Sequence, residues 1–439
     1  MTRSHAIILG GGYAGLLAAK VLASYYKRVS IIERYSDILA HPESTSKRQA
    51  VPQAAHIHVL LKGGQAILQD MFPTIIQDLE AHCPRIDWAR DTEWHGPFGR
   101  YPQYTSGVET LLLSRSLLDN YLISHLQQIK NISIIIGNAK IIFDKNPRQA
   151  IGVNITDKQL TYNLFGDLIV DARGRRSNII KNLNDIGLKT PPAQRVESTI
   201  SYSSCIYQYR EQHKLTRQLY LQVRPGLRHS GVVISPIEHG KIFVTIISLD
   251  QKPAQTNLEF INALTHLLGS SALSFLTHAQ ALTPIQVFRN FTNTRLNLGS
   301  LKKWPPGLLV IGDAACILNP VYGQGMTVAA QQIALLQQSL ASPKKMLHWE
   351  HQFQRDIDAS TNFPWLMATT EDLRAQNKSQ LSYSTRFFQI FIDRILQRAT
   401  TDQALHHSFL RVMHMLDPPY YLLKPQVFLR QPLSAKLTS

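Results

Sequence analysis

The 439 residues predict an α/β protein in which a parallel, Rossmann-like sheet is interrupted by a mostly antiparallel insert and followed by helices. Three observations predict it. Near the N-terminus an apolar run, Ala6-Ile7-Ile8-Leu9, stops at Gly10-Gly11-Gly12-Tyr13-Ala14-Gly15, and a helical pattern (Leu16, Leu17, Ala18, Ala19, Val21, Leu22) begins at once. Far along the chain a second apolar run, Leu308 to Ile311, ends in Gly312-Asp313 and leads into another helical stretch, Thr327 to Leu340. Between them, from about Arg195 to Leu249, the pattern changes to closely spaced apolar runs of strand length.

The first turn fits GxGxxG through Gly10, Gly12 and Gly15. The first glycine permits a tight turn, the second lets the backbone approach a pyrophosphate, and the third lets the helix pack closely on the strand. Tyr13 and Ala14 open that helix, whose N-terminal N–H groups suit phosphate. A second strand-like run, Arg28 to Ile32, ends at Glu33, followed by Arg34. An acid at about that spacing accepts hydrogen bonds from ribose hydroxyls and repels a 2′-phosphate, which predicts an ADP-ribose without one. A glycine-rich turn that binds nothing, with a Glu that merely caps a strand, would leave this order of strand, glycines, helix, strand and acid unexplained.

Further along, Pro42 to Pro52 reads as a polar loop and Ile57 to Met71 as a helix. Ser114 to Gln128 is an amphipathic helix with Leu117, Leu118, Tyr121, Leu122 and Leu126 at helical spacing. Ile132 to Ile136 reads as a buried strand, Ala150 to Phe165 as a hairpin, and Leu168-Ile169-Val170 as a strand leading into Asp171. The runs Tyr202 to Tyr209, Leu219 to Val223, Gly231 to Ile234 and Ile242 to Leu249 form the antiparallel insert, expected to carry substrate. The predicted division is a discontinuous nucleotide domain over 1–84, 108–194 and 295–345, a substrate domain over 85–107 and 195–294, and a helical region over 346–439.

Composition narrows the class. Hydrophobic residues are 44% and charged residues 17%, an ordinary globular balance. No apolar run reaches the roughly 18 residues of a membrane span, and the N-terminus lacks a secretory pattern, so a cytoplasmic protein is expected. Cys83, Cys205 and Cys316 are far apart, which argues against a disulfide framework. The 17 histidines show no metal-site spacing, so no metal is expected; most read as surface or structural residues. The net charge of +16 admits an acidic carrier protein or peripheral contact with an anionic membrane, but no basic run marks a specific nucleic-acid site. Oligomeric state is not written in the sequence.

The second turn, Asn319-Pro320-Val321-Tyr322-Gly323-Gln324-Gly325-Met326, calls for different chemistry. Asp313 is placed to accept from a polyol. Gly323 and Gly325 allow close approach to a flat ring, and the helix starting near Gly325 directs its positive end at that ring. Reduced flavin carries negative charge around N1 and the C2 carbonyl, which such a helix end would stabilise.

With both turns present, the chain resembles the FAD-dependent monooxygenases of the para-hydroxybenzoate hydroxylase type, which have a glutathione-reductase-type FAD domain. Gly10, Gly12, Gly15 and Glu33 match the family's ADP motif, and Gly312 and Asp313 its ribityl motif. Asp171-Ala172-Arg173-Gly174-Arg175-Arg176-Ser177 resembles its third motif, linked to FAD and NAD(P)H, with Arg173 and Arg176 where small residues are usual. Arg115 matches a family arginine near the flavin. A narrower similarity, to flavin epoxidases of polyketide and polyether pathways, rests on Arg48-Gln49-Ala50-Val51-Pro52-Gln53-Ala54-Ala55-His56-Ile57-His58-Val59-Leu60, on Ser230 to Glu238, and on Asp417-Pro418-Pro419, with Ala50 replacing a glycine.

The resemblance implies FAD contacts from Gly10, Gly12, Tyr13, Ala14 and Gly15, from Glu33, Arg34, Arg48 and Arg115, from Ala139, Asp171 and Gly174, and from Asp313, Pro320, Gly323, Gln324, Gly325 and Met326. It implies NAD(P)H as reductant, O₂ as co-substrate and oxygen transfer from a flavin C4a-hydroperoxide to a hydrophobic polyketide, terpene or prenylated aromatic, by epoxidation or hydroxylation. No acid–base pair stands out, so no catalytic side chain is assigned. Tyr202, Ile206, Val233, Ile234 and Phe243 are the candidate substrate wall. Competing readings are a flavin-dependent halogenase, for which the expected tryptophan-bearing stretch is absent (Val232 to Ile237) and Lys62 sits in no motif, a prenyl-chain reductase of the same fold, and a non-catalytic FAD-stabilised module that binds carrier proteins.

Overall fold

The computed structural model describes residues 3–39, 51–144, 148–158, 160–209, 215–269, 276, 279–341, 348–375 and 381–423. Its centre is a five-stranded parallel sheet built from β1 (Arg3–Leu9), β2 (Tyr26–Glu33), β3 (Ile132–Ile136), β4 (Leu168–Asp171) and β8 (Leu308–Val310), in the order β8-β4-β1-β2-β3. Ala6 to Leu9, Leu168 to Val170 and Leu308 to Val310 are almost wholly removed from solvent. A parallel sheet covered on both faces requires such continuous apolar runs. The strand ends are in step: Leu9 pairs with Ile32 and with Asp171, and Asp171 with Val310. The turns that follow β1, β4 and β8 therefore emerge along one edge of the sheet, where open α/β sheets bind ligands. β3, read as a buried strand, is a half-buried edge strand paired only with β2 among the described residues.

Helix α1 (Tyr13–Leu22) packs against α4 (Gly325–Ala341) and α2 (Arg115–Gln127). The close seat of α1 on β1 depends on Gly15, where a Cβ would collide with the carbonyl oxygen of Gly10. Gly10 itself has φ +103, a backbone that L side chains rarely adopt. Ser114 caps α2 by accepting from the Leu117 N–H.

The inserted sheet contains β5 (Ile200–Tyr209), β6 (Ser230–Pro236) and β7 (Lys241–Leu249), antiparallel in the order β5-β7-β6. It is extended through Gln218–Leu221 to Thr92–Gly96, so chain from before and after the hairpin-rich segment shares one sheet. Both of its faces are apolar. Val232, Ile234, Val244 and Ile246 pack on α3 (Asn257–Leu268) through Phe260 and Leu264. Tyr202, Val233 and Ile247 face the opposite way.

The C-terminal region is helical: α5 (Trp349–Ser360), α6 (Asn362–Ala375), α7 (Tyr383–Arg398) and α8 (Gln403–Met413). Phe391, Ile392, Ile395 and Leu396 of α7 and Phe409 and Leu410 of α8 form a second core with Trp88, Trp94 and Tyr101. Two histidines are buried in it. His406 stacks on Tyr101 with ring centroids 4.8 Å apart, and His414 meets Trp88 edge-on at 4.5 Å. Burial pushes the His406 imidazole down to about 4 and that of His414 to about 3. The Lys62 N–H donates to His414 Nδ1, which further opposes a proton there.

Both imidazoles are thus neutral when folded but titrate near 6.5 when unfolded. Above about pH 6.5 neither state takes up a proton. Below it only the unfolded chain does, so stability falls as the pH drops toward about 4. Denaturant midpoints measured across this range should show the loss, and His406→Phe should flatten part of it.

Candidate active site

One continuous cavity of about 610 Å³ opens along the edge of the central sheet where β1, β4 and β8 end. It runs from the glycine turn after β1 to the inserted sheet and the C-terminal helices.

At its first end it is lined by Gly10, Gly12, Tyr13 and Ala14, by Glu33 and Arg34, and by Ala139 and Gly174. A Cβ on Gly12 would meet no protein atom within 4 Å, so the space this glycine leaves belongs to the cavity. Gly15 does not line it and serves the helix–strand contact instead. The buried Glu33 carboxylate accepts from the Gly11 N–H at 2.8 Å and the Tyr35 N–H at 3.2 Å. Those bonds aim the acid across the mouth of the turn and leave lone pairs for hydroxyl donors.

Asp171 also stands outside the lining. Its oxygens take Arg173 Nε at 3.0 Å and Nη2 at 2.7 Å, and the Ser177 hydroxyl at 2.7 Å. Arg173 Nη1 reaches the Ala139 carbonyl at 3.1 Å. Asp171 thus braces this turn through Arg173 and Ser177. Arg173, unusual for the motif, ties this turn to the neighbouring strand Asn138–Phe143. Arg176 donates to the Tyr35 hydroxyl at 2.7 Å. Arg175 lines the cavity with its guanidinium over the rings of Phe291 (4.6 Å) and Phe288 (5.5 Å). Arg48 lies outside the described residues.

The middle of the cavity is formed by Arg115, Gly312, Asp313, Pro320, Gly323, Gln324, Gly325 and Met326. Arg115, oriented by Asp119 Oδ1 at 2.8 Å, sits over the Tyr13 ring. Burial raises the Asp313 carboxyl above its ordinary value, against the opposing pull of Arg175 and Arg115. Gly312 and Gly323 have φ of +62 and +65. Gly325 starts α4, and a Cβ there would meet no protein atom within 4 Å. The Tyr13 hydroxyl and Gln324 Oε1 are buried without a protein partner, and buried polar atoms of that kind need one.

These residues fit FAD. Two side-chain-free backbone stretches, Gly12 and Gly325, border the cavity at the N-termini of α1 and α4. Both helix ends favour negative charge. Glu33 and Asp313 offer acceptors, and Gln324 and Tyr13 offer unmatched polar atoms.

At the far end Tyr202 and Val233 line the cavity, as the sequence suggested, together with Tyr220, Thr245, Ile247 and Phe288. Three suggested wall residues do not. Ile234 points through the sheet onto Phe260 and Leu264. Ile206 and Phe243 pair with each other in register, beyond the Ser204–Thr245 rung where the chamber ends.

The structure also adds residues that sequence reasoning missed. His56 and His58, to which the sequence reading gave no role in the site, line the chamber. His56 Nδ1 bonds Ser204 Oγ at 2.8 Å. His58 Nδ1 donates to the His56 carbonyl at 2.8 Å, which leaves Nε2 as an acceptor. Burial, then Arg115, pushes the His58 imidazole down to about 4. The helical cap contributes Phe363, Met367, Phe388, Leu396 and Phe409, and one carboxylate, Glu371, gripped by Arg374 at 2.7 Å. The two histidines had a sequence signal in the His-x-His segment of the epoxidase-like stretch; the cap residues had none.

The family model for squalene epoxidase matches residues 275–358, the stretch that carries the Gly312-Asp313 turn and α4. Protein Rv3254 of Mycobacterium tuberculosis is 27% identical over 95% of this chain and 91% of its own length. The flavin-dependent brominase Bmp2 superposes with a TM-score of 0.65 at 16% identity, covering 93% of each chain. A 2-methyl-3-hydroxypyridine-5-carboxylic acid oxygenase superposes at 0.60 with 18% identity, covering 86% of this chain and 94% of its own. The two solved structures share the fold. Together with the glycine turns, the squalene epoxidase match supports an FAD-dependent monooxygenase that resembles those of the para-hydroxybenzoate hydroxylase type.

Two substitutions test the cofactor placement. Gly12→Val puts a branched side chain where the pyrophosphate must pass but where no protein atom stands. The purified variant should be colourless, with an apoprotein melting temperature like that of the parent. Asp313→Ala removes the polyol acceptor and should weaken FAD binding by about tenfold or more, as expected for a buried charged hydrogen bond, with circular dichroism unchanged.

Proposed function

We propose that this protein is an NAD(P)H-consuming monooxygenase that places one atom of O₂ on a hydrophobic metabolite, as an epoxide across an electron-rich alkene or as a hydroxyl. The observation that carries this reading is the continuity of the flavin cavity with an apolar, aromatic chamber formed by the inserted sheet and the C-terminal helices. FAD, when bound, supplies the redox chemistry between nicotinamide and O₂. The chain's own residues hold the substrate, orient it and keep water away.

The buried tyrosines of the chamber offer no phenolate base, which favours epoxidation. Phenol hydroxylation is helped by a base that deprotonates the substrate, whereas alkene epoxidation needs none. Tyr202, Tyr220 and Tyr322 are all pushed above the ordinary phenol value by burial, so they stay protonated. Glu371 is forked by Arg374. His58 is neutral with an open Nε2, an acceptor suited to orienting a hydroxyl or amide donor on an otherwise apolar ligand. The squalene epoxidase match supports the same choice.

A halogenase of this fold requires a lysine beside the substrate. Among the described residues that line the cavity, Lys140 is the one lysine, and it stands at the dinucleotide end beside Ala139. Lys62 lines no part of it. The apolar lining accommodates a polyketide, terpene or prenylated aromatic, free or held on an acidic carrier protein that the +16 charge would attract.

The test is isotopic. NADH or NADPH should bleach the visible flavin band of the purified protein. Incubation of lipophilic alkenes under ¹⁸O₂ should then give products carrying one labelled oxygen. A flavin that neither nucleotide reduces, or products without label, would overturn the assignment; unlabelled saturated products would indicate a reductase.

A further inference from the structure

We propose that Asp372, on the C-terminal helix α6, is a positioning residue of the flavin site: it fixes the Asn319 side chain and thereby locks the loop Asn319–Met326 against the substrate sheet. This rests on the FAD reading above.

The argument begins with two amides whose orientations are set by backbone donors. Asn319 Oδ1 accepts from the Val321 N–H at 3.1 Å, so Nδ2 of Asn319 must face the other way. Asn293 Oδ1 accepts from the Asn319 N–H at 2.7 Å, so its Nδ2 is likewise fixed. Both NH₂ groups converge on residue 372. Asn293 Nδ2 reaches Asp372 Oδ2 at 2.6 Å, and Asn319 Nδ2 reaches Oδ1 at 3.0 Å and Oδ2 at 3.1 Å. The Ser198 hydroxyl donates to Oδ1 at 2.8 Å. Asn319, Asn293, Ser198 and Asp372 are all buried.

A position met by three donors, two of them incapable of reversal, requires an acceptor with at least three free lone pairs. An ionised carboxylate meets that need, and a side-chain amide does not. Among the described residues the carboxylate takes no cation: the guanidinium of the same helix, Arg374, goes to Glu371 and Asp393 instead. Burial raises the Asp372 carboxyl, and the three donors counter that rise.

The consequence reaches the chamber. With Nδ2 of Asn319 committed to Asp372, its Oδ1 also receives the Tyr202 hydroxyl at 3.1 Å. One carboxylate from the C-terminal region thus completes and anchors a hydrogen-bond chain whose direction the backbone donors set. That chain joins the substrate wall, the loop that carries Pro320, Gly323, Gln324 and Gly325, and the helical cap. Asp372 thereby ties the loop to the cap and to the substrate sheet in one arrangement.

The test uses the full chain. FAD affinity of the apoprotein is read by quenching of flavin fluorescence, with the visible spectrum of bound flavin as a second readout. Asp372→Asn turns its NH₂ toward the fixed Asn319 NH₂ in either amide rotamer; it should raise the FAD dissociation constant by about tenfold or more and shift the flavin spectrum. The exchange variant Asn319→Asp with Asp372→Asn restores one acceptor and one donor facing each other. It should recover affinity to within about threefold of the parent, beyond the sum of the two single changes. Parental affinity and spectrum in Asp372→Asn would overturn the proposal. So would an exchange variant no better than the single changes, or one that does not fold. A parent protein that binds no FAD would instead refute the flavin reading itself.

Discussion

The structure depends on bringing the ends of parallel strands into register along one edge. Because Leu9, Asp171 and Val310 are neighbours across the sheet, the turns after them share one space. The turns after β1 and β8 lead to α1 and α4, which pack side by side with both N-termini at that edge. Each helix contributes about half a positive charge at its start. Such partial charges repel each other unless something negative lies between them, and they cost little when it does. In the proposed reading, the pyrophosphate of FAD at one end and the electron-rich side of its reduced ring at the other would supply that counter-charge. The glycines follow from the same constraint. Gly15 lets α1 sit close to β1, while Gly12 and Gly325 leave the approach to each helix start clear.

What could be read in advance was what backbone geometry dictates locally. A strand that stops at glycines, turns and enters a helix has few physical explanations, so both nucleotide turns and the central strands were visible as sequence. Asp171 shows the boundary. The motif it resembles marked it as a flavin contact, and the structure adds that Arg173, three-way bonded to Asp171 and the Ala139 carbonyl, makes it also a brace of the turn. Nothing in a one-dimensional pattern distinguishes an acid aimed at a ligand from an acid matched by an arginine two residues away.

The substrate wall was harder for a different reason. Alternation along β6 separates Val233 from Ile234 but does not say which face is the chamber. In a one-faced sheet the polar side would decide. Here α3 covers the second face, so both faces are apolar and the alternation carries no direction. The cap posed the complementary difficulty. Phe363, Phe388, Leu396 and Phe409 have the helical spacing of ordinary core residues, and their role in the chamber comes only from where α6, α7 and α8 lie against the sheet.

The cap explains how a site so apolar can still be stiff. Dispersion and burial hold its helices on the sheet but do not select one register among several of similar packing. Directional bonds do. Arg374 clasps Glu371 and Asp393, linking α6 to α7, and Arg224 reaches Asp393 from the sheet side. On the opposite side of α6, Asp372 receives donors from two different strands and from the flavin loop. A charged helix face thus lies between two apolar layers, with its polar groups matched in both directions. Displacing α6 would leave buried donors and acceptors unmatched at several points at once, each with a desolvation cost that an apolar contact does not carry. Shape in the chamber can therefore vary with its apolar lining, while the distance from cap to flavin loop stays set by the carboxylates.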